Sequence, residues 1–243
     1  MADAPGPDPS QPPEAAGPAG TLTDAQMSLR AQMLATEHWS LLATRSTTQS
    51  EVLTRIAIFL TLVSAGLVTL GVLGNATQFR GWFGVAALGV LLLLAILGLI
   101  TQLRTYNASL DDLMYVIAMN RLRGAYLDLD PGIAPYLVSS AEDDEPGVHR
   151  TYYAFTPRTG QMLASSAMII TVVEAAVIGL FLGGLVLALG GAIWLVVTVG
   201  VIVGIGWVFA WAVVGYRGYR AAFRAHSPLR SSAARAGRAD AAA

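Results

Sequence analysis

Residues 82–103 have the sequence WFGVAALGVLLLLAILGLITQL, which contains no charged side chain. A helix needs about 20 predominantly apolar residues to cross a hydrocarbon layer of about 30 Å. Three further stretches of similar length and composition lie at residues 56–74, 167–189 and 193–214. Four such stretches in one small chain predict an all-α, four-span helical membrane protein.

The overall composition agrees with this interpretation. Of the 243 residues, 54% are hydrophobic and 13% are charged, whereas soluble domains carry about 25% charged residues. The formal net charge of -1 excludes a globally basic nucleic-acid-binding protein. The chain has neither cysteine nor lysine, which excludes disulfides, zinc–thiolate sites, a Walker A lysine and a Schiff-base lysine.

The connections between the spans predict how they pair. Residues 75–81 join the first two spans into hairpin 1, and a turn at Gly190-Gly191 joins the last two into hairpin 2. With four spans, both termini and the segment between the hairpins share one side. Of the 15 basic residues, all arginines, only Arg80 lies on the opposite side. The positive-inside rule therefore predicts that both termini lie in the cytoplasm.

The chain divides into six predicted segments. They are a disordered Pro/Ala/Gly tail (1–23), a cytoplasmic amphipathic helix (24–55), hairpin 1 (56–103), a cytoplasmic helical segment (104–164), hairpin 2 (165–215) and a basic cytoplasmic tail (216–243).

Local patterns indicate structure outside the predicted spans. Thr23 and Asp24 offer N-caps to a helix whose apolar stripe includes Met27, Leu34 and Leu41. The second span is expected to continue as a helix to about Leu129, before an Asp-Pro-Gly sequence. We expect the acidic residues 142–145 to form a solvated turn.

Glu174 is the one ionisable side chain inside a predicted span. A charged carboxylate within a bilayer costs a few kcal/mol or more, so Glu174 must face protein or water, or stay protonated. One hypothesis is a proton or cation site aided by Thr171, or by Thr61, Ser64 and Thr69 of the first span. The alternative is a neutral carboxyl group that only sets the register between neighbouring helices.

Small residues recur every four positions in hairpin 2. Ala175, Gly179 and Gly183 lie on the third span, and Gly200 and Gly204 lie on the fourth. Such rows allow helix backbones to approach closely in lipid. The pattern favours packing within hairpin 2, and the alternative is a seam between two copies.

Arg217, Arg220 and Arg224 continue the fourth span as a basic helical stripe. Near a membrane surface, each such residue contributes about 1 kcal/mol of attraction to anionic headgroups. We therefore predict that these arginines bind lipid headgroups.

No motif of catalysis is present in the sequence. The three histidines are scattered, and neither a nucleophile elbow nor a dinucleotide-binding glycine motif occurs. We therefore expect no catalytic residue, no metal site, no cofactor and no enzymatic activity.

Two stretches carry a resemblance to known sequences. They are EHWSLLATR at residues 37–45, and MNRLRGAYL at residues 119–127 followed by PGIAPY at residues 131–136. They resemble uncharacterised multi-pass membrane proteins of high-GC, actinobacterial-type bacteria, a likeness that covers about residues 37–153 and implies no assigned activity. The layout alone is similar to SLATT-type two-span effectors, a likeness that implies pore formation, although hairpin 2 departs from their two-span plan.

These observations favour a non-enzymatic, oligomeric membrane scaffold or regulatory subunit. Its partners would be the lipid bilayer, further copies of the chain and a cytoplasmic protein, but no nucleic acid. The alternatives are a small ion or proton channel or carrier that uses Glu174, and a pore-forming effector. Carriers usually contain broken spans, and the absence of proline from all four spans favours the scaffold.

Overall fold

The computed structural model describes residues 23–153, 165–234 and 237. Five α-helices occur in the described residues: α1 (Asp24–Thr77), α2 (Phe83–Leu129), α3 (Glu145–Tyr152), α4 (Ser166–Ala188) and α5 (Ile193–Ala225). A short 3-10 helix covers Pro131–Tyr136. The predicted disordered tail lies outside the described residues, apart from Thr23.

Four of these helices are long and apolar enough to cross a membrane, namely α1, α2, α4 and α5. The prediction of an all-α, four-span membrane protein is confirmed. In a bilayer each helix satisfies its own backbone hydrogen bonds, so an apolar stretch of sufficient length is enough to specify a span.

Helices α1 and α2 extend far beyond the membrane. They contain 54 and 47 residues, which correspond to about 80 Å and about 70 Å at 1.5 Å per residue. We call residues 24–55 of α1 and 104–129 of α2 the stalk, and the side of the membrane on which they lie the stalk side. Because both helices are continuous, the stalk and hairpin 1 form one long antiparallel pair.

Local signals explain where these helices begin and end. Thr23 caps α1, since its hydroxyl accepts a hydrogen bond from the backbone N–H of Gln26 and the Gln26 side chain accepts one from the Thr23 N–H. Helix α2 ends at Leu129, as the Asp-Pro-Gly sequence predicts, and Asp130 then caps the 3-10 helix. The turn of hairpin 2 includes Gly190 at a φ of 84°, a conformation that favours glycine.

Two apolar clusters hold the helices together. The first lies at the stalk end of the spans and joins α1, α2 and α4 through Phe59, Leu94, Ile170 and other buried residues. The second lies within the stalk and packs α3 and the end of α5 against α2, around the fully buried Val116. Helix α5 has no buried residue, so it is the outermost of the four spans.

Candidate functional site

Glu174 lies on the side of α4 that faces hairpin 1. Its side chain is fully buried, and neither carboxyl oxygen has a hydrogen-bond partner among the described residues. A Cβ atom built on Gly98 of α2 would lie 1.6 Å from Oε2 of Glu174 and 2.7 Å from Cζ of Phe59 of α1. The carboxyl group therefore occupies space that is open only because residue 98 has no side chain.

A chain of buried polar side chains begins one turn closer to the stalk. The Nε2 of Gln102 donates to Oγ1 of Thr171 at 3.0 Å, and Nε1 of Trp207 donates to Oε1 of Gln102 at 3.1 Å. Thr171 in turn donates to the carbonyl oxygen of Ala167 at 2.7 Å. These bonds connect α2, α4 and α5.

Of the side chains proposed to help Glu174, only Thr171 lies near it in the structure. The expectation for Thr61, Ser64 and Thr69 is wrong, because all three are exposed on α1. Each donates its hydroxyl hydrogen to the carbonyl oxygen four residues earlier in its own helix. Their hydroxyl groups are therefore hydrogen-bonded within α1, and these side chains face away from hairpin 2.

The small residues of hairpin 2 meet across α4 and α5. A Cβ on Gly179 would lie 2.6 Å from the carbonyl oxygen of Gly200, and one on Gly204 would lie 3.3 Å from that of Ala175. A Cβ on Gly183 would likewise lie 3.1 Å from a backbone oxygen of α5. Helices α4 and α5 thus approach to backbone contact, and the Glu174 side chain points to a different face of α4.

The three arginines that follow the fourth span are exposed on the extension of α5. Arg220 lies over the ring of Tyr216, with its Cζ atom 5.9 Å from the ring centroid. None of the ion pairs among the described residues involves Arg217, Arg220 or Arg224. Their binding to lipid headgroups remains a prediction.

Asp112 connects three helices of the stalk region. Its carboxylate accepts hydrogen bonds from Arg45 Nε at 2.6 Å, Gln49 Nε2 at 3.0 Å and Tyr152 Oη at 2.7 Å. Burial, together with the adjacent Asp112 carboxylate, holds the pKa of Tyr152 far above its usual range, so its hydroxyl remains a donor. Asp112 therefore fixes α1 and α3 against α2.

The acidic loop at residues 142–145 is not a solvated turn, and that expectation is wrong. Asp143 is fully buried and accepts a hydrogen bond from Arg121 at 2.6 Å. Its carboxylate also accepts bonds from the backbone N–H groups of Leu229 at 3.1 Å and Arg230 at 2.8 Å. Burial alone would raise the pKa of Asp143, but these donors outweigh it and hold the pKa below its usual range.

Neighbouring residues extend this contact between the acidic loop and the C-terminal segment, residues 226–232. Asp144 accepts hydrogen bonds from the backbone N–H and the hydroxyl of Ser232, at 2.6 and 2.8 Å. Asn120 of α2 donates to the carbonyl oxygen of Glu142 at 2.9 Å and accepts from Thr151 at 2.9 Å. The loop thus links the C-terminal segment to the stalk.

Several of these residues were not identified from the sequence. Gly98, Gln102 and Trp207 lie in apolar spans, where the sequence does not show which face of a helix is buried. The spacing of Gly98 and Gln102 by about one helical turn indicates only that these two residues share a face of α2. In the sequence, Asp112 and Asp143 each lie next to another acidic residue, and such acidic pairs are usually solvated.

Among residues 23–153 and 165–234, no group of three or more His, Asp or Glu side chains is placed to hold a metal ion. Neither a family model, nor a curated protein, nor a solved structure matches the sequence.

Proposed function

We propose that this chain is a non-enzymatic scaffold or regulatory subunit of a bacterial inner membrane, and that it assembles into a homo-oligomer through its stalk. The arginine asymmetry supports an orientation with the stalk and both termini in the cytoplasm. A cytoplasmic protein partner would then meet the assembled stalks.

The observation that carries the proposal is a group of three large apolar side chains exposed on the outer face of α1. Leu29, Met33 and Trp39 are 58%, 66% and 74% exposed, although they lie 17 to 27 residues before the first span. At 100° per residue they occupy the side of α1 opposite Leu34 and His38, which face α2. Exposed apolar patches outside a membrane usually mark interaction surfaces.

The charge pattern of this face favours a second copy as its occupant. Between residues 25 and 50 the remaining positions on the face are Ala, Ser, Thr and Gln, and Arg30 and Glu37 lie at its edge. Two identical uncharged faces can meet without like-charge repulsion, whereas a charged partner would find no complement there.

The rigidity of the stalk also supports a scaffold. The ion pair of Arg45 with Asp112, and that of Arg104 with Glu51 at 2.8 Å, hold α1 and α2 together outside the membrane. The hydroxyl of Tyr126 donates to the carbonyl oxygen of Leu34 at 3.0 Å near the tip. A preorganised surface associates at a lower entropic cost than a flexible one.

The oligomer is tested by light scattering of the purified protein in detergent and in lipid nanodiscs. The triple variant Leu29→Ser, Met33→Ser, Trp39→Ser should be monomeric, and the native chain should have the mass of two or more copies. Met114→Ser is the matched control, because Met114 is 63% exposed on the other stalk helix. A monomeric native protein, or equal effects of both variants, would contradict the proposal.

The orientation is tested with fusions to the C-terminus. A fluorescent protein fused there should fluoresce in the cytoplasm, and alkaline phosphatase fused there should be inactive. An active phosphatase would place the stalk outside the cytoplasm.

The alternatives make a different prediction in sealed liposomes. A channel or carrier that uses Glu174, or a pore-forming effector, would release ions or dyes from liposomes, whereas a scaffold leaves them sealed. The unpartnered Glu174 carboxyl group is the observation that favours a channel or carrier as the second candidate function. The residues around this carboxyl group bear on whether it belongs to a transport path or to a local site.

A further inference from the structure

Among the described residues, no side chain or backbone donor stabilises a negative charge on the Glu174 carboxyl group. Phe59 of α1 and Gly98 of α2 cover it, and no hydrogen-bond donor among the described residues reaches either oxygen. A carboxylate without donors is far more costly in an apolar interior than a neutral carboxyl group. This packing is therefore compatible with the protonated form.

The neighbouring oxygens do not form a site for a metal ion. Oγ1 of Thr171 accepts from Gln102 and donates to Ala167, while Oε1 of Gln102 accepts from Trp207. Hard cations require several oxygen ligands around them, and within the described part of the chain only the two oxygens of Glu174 are uncommitted here. The ligand that this arrangement accommodates is a proton.

In the part of the chain that the structure describes, the buried polar side chains near Glu174 lie towards one side of the membrane. Gln102 and Thr105 of α2 and Thr171 of α4 are buried towards the stalk side. Towards the opposite side, the buried residues Val63, Leu94 and Val177 continue the apolar core. The geometry of the described residues therefore favours proton access from the stalk side over a path across the membrane.

Within the described ranges, the side chains around the carboxyl group carry no charge. Phe59 of α1 lies beside it, and Gln102 of α2 and Trp207 of α5 lie about one turn closer to the stalk; none of the three is ionisable. The nearest charged residues on the same helices, Glu51, Arg55 and Arg104, are paired with one another at the membrane boundary.

We propose that Glu174 is a proton-binding site reached from the stalk side, and that its bound proton holds hairpin 2 against hairpin 1. Loss of the proton would leave a charge between α2 and α4. Water would then have to enter this contact, and the hydrogen bonds of Gln102 with Thr171 and Trp207 would break. The site would make the packing of the two hairpins sensitive to the pH on the stalk side.

Infrared spectroscopy of the protein in liposomes tests proton binding directly. A protonated carboxyl group has a carbonyl-stretching band that a carboxylate lacks. At about pH 7.5, exposed Asp and Glu side chains are ionised, so the native protein should show this band and Glu174→Gln should lose it. Identical spectra of the two proteins would overturn the proposal.

The direction of access is tested by transfer into heavy water. The band shifts as deuterium replaces the proton, and Gln102→Leu should slow this shift several-fold. Thr61→Val is the matched control, because Thr61 is a polar span residue that faces away from the site. Equal exchange rates in the native protein and Gln102→Leu would contradict access through Gln102.

The coupling to hairpin packing is tested by fluorescence in a variant that retains Trp207 as its only tryptophan. Raising the pH until the carboxylic-acid band disappears should move the Trp207 emission to longer wavelengths, since water enters the contact. The same titration of Glu174→Gln should produce no shift. An unchanged emission in the parent, or the same shift in both proteins, would show that the proton does not hold the hairpins together.

Discussion

The carboxyl group of Glu174 occupies the space beside Gly98 that a side chain at residue 98 would fill: a Cβ there would lie 1.6 Å from Oε2 of the glutamate. The two residues lie on different hairpins and are separated by 76 positions in the sequence. Their contact places Glu174, the acidic side chain within the spans, in the interior of the helix bundle. It therefore connects the packing of the helices with the protonation of that side chain.

Gly98→Ala should destabilise the protein, because the added methyl group collides with the Glu174 carboxyl group and the Phe59 ring. Overpacking of this kind costs about 1–3 kcal/mol. The free energy of unfolding in mixed micelles, followed by circular dichroism, measures the effect. Gly89→Ala is the control, since a Cβ there meets no atom within 4 Å; equal results for both variants would refute the steric argument.

Gly179→Ala should separate α4 from α5. The new methyl group would lie 2.6 Å from the carbonyl oxygen of Gly200, a backbone atom that cannot rotate away, and we expect a loss of about 1–3 kcal/mol. Thermal melting in detergent is the measurement. Gly206→Ala on α5 has open space at its Cβ and should melt at or above the native temperature, as helix propensity predicts.

Asp112→Ala should loosen the stalk. It removes the acceptor shared by Arg45, Gln49 and Tyr152, and the partly buried donors left behind should cost about 1–3 kcal/mol. Asp111→Ala is the neighbouring control, because the Asp111 side chain is 43% exposed and lies 3.7 Å from Arg104. We expect the control to change the unfolding free energy by less than about 0.5 kcal/mol.

Acid should release the C-terminal segment from the acidic loop. Burial raises the pKa of Asp143 and of Asp144, but their hydrogen bonds outweigh it and hold both pKa values below the usual range. The contact is therefore stable above the ordinary Asp pKa of about 3.9. It is lost as the pH falls through the lower pKa values of the folded state. Exchange of the backbone N–H groups of Leu229 and Arg230, corrected for its intrinsic pH dependence, reports this release.

The variant Asp143→Asn, Asp144→Asn is the control for that titration. It lacks both titrating groups, so its segment should be poorly protected at every pH and should show no transition in this range. Protection in the variant equal to that of the native protein would show that the carboxylates do not hold the segment.

The positions of the spans and the end of α2 at Leu129 were predictable from the sequence. A span is a local property, because length and apolar composition decide it and the helix satisfies its own hydrogen bonds. The cap at Thr23 and the break after Leu129 are also local, since each depends on residues within one turn. The continuity of α1 through Glu51 and Arg55 follows from the same short-range pairing.

Local pattern did not reveal which helix faces meet. In spans that are apolar all round, periodicity does not specify a rotation, so the burial of Glu174 against Gly98 and the outward direction of Thr61 depend on contacts between distant residues. Asp143 and Leu229 are 86 residues apart, and only the docking of α5 against the stalk turns an acidic loop into a buried acceptor. The amino-acid order thus specified which segments enter the membrane, while the rotation and axial position of the packed helices decided which polar groups are sealed inside.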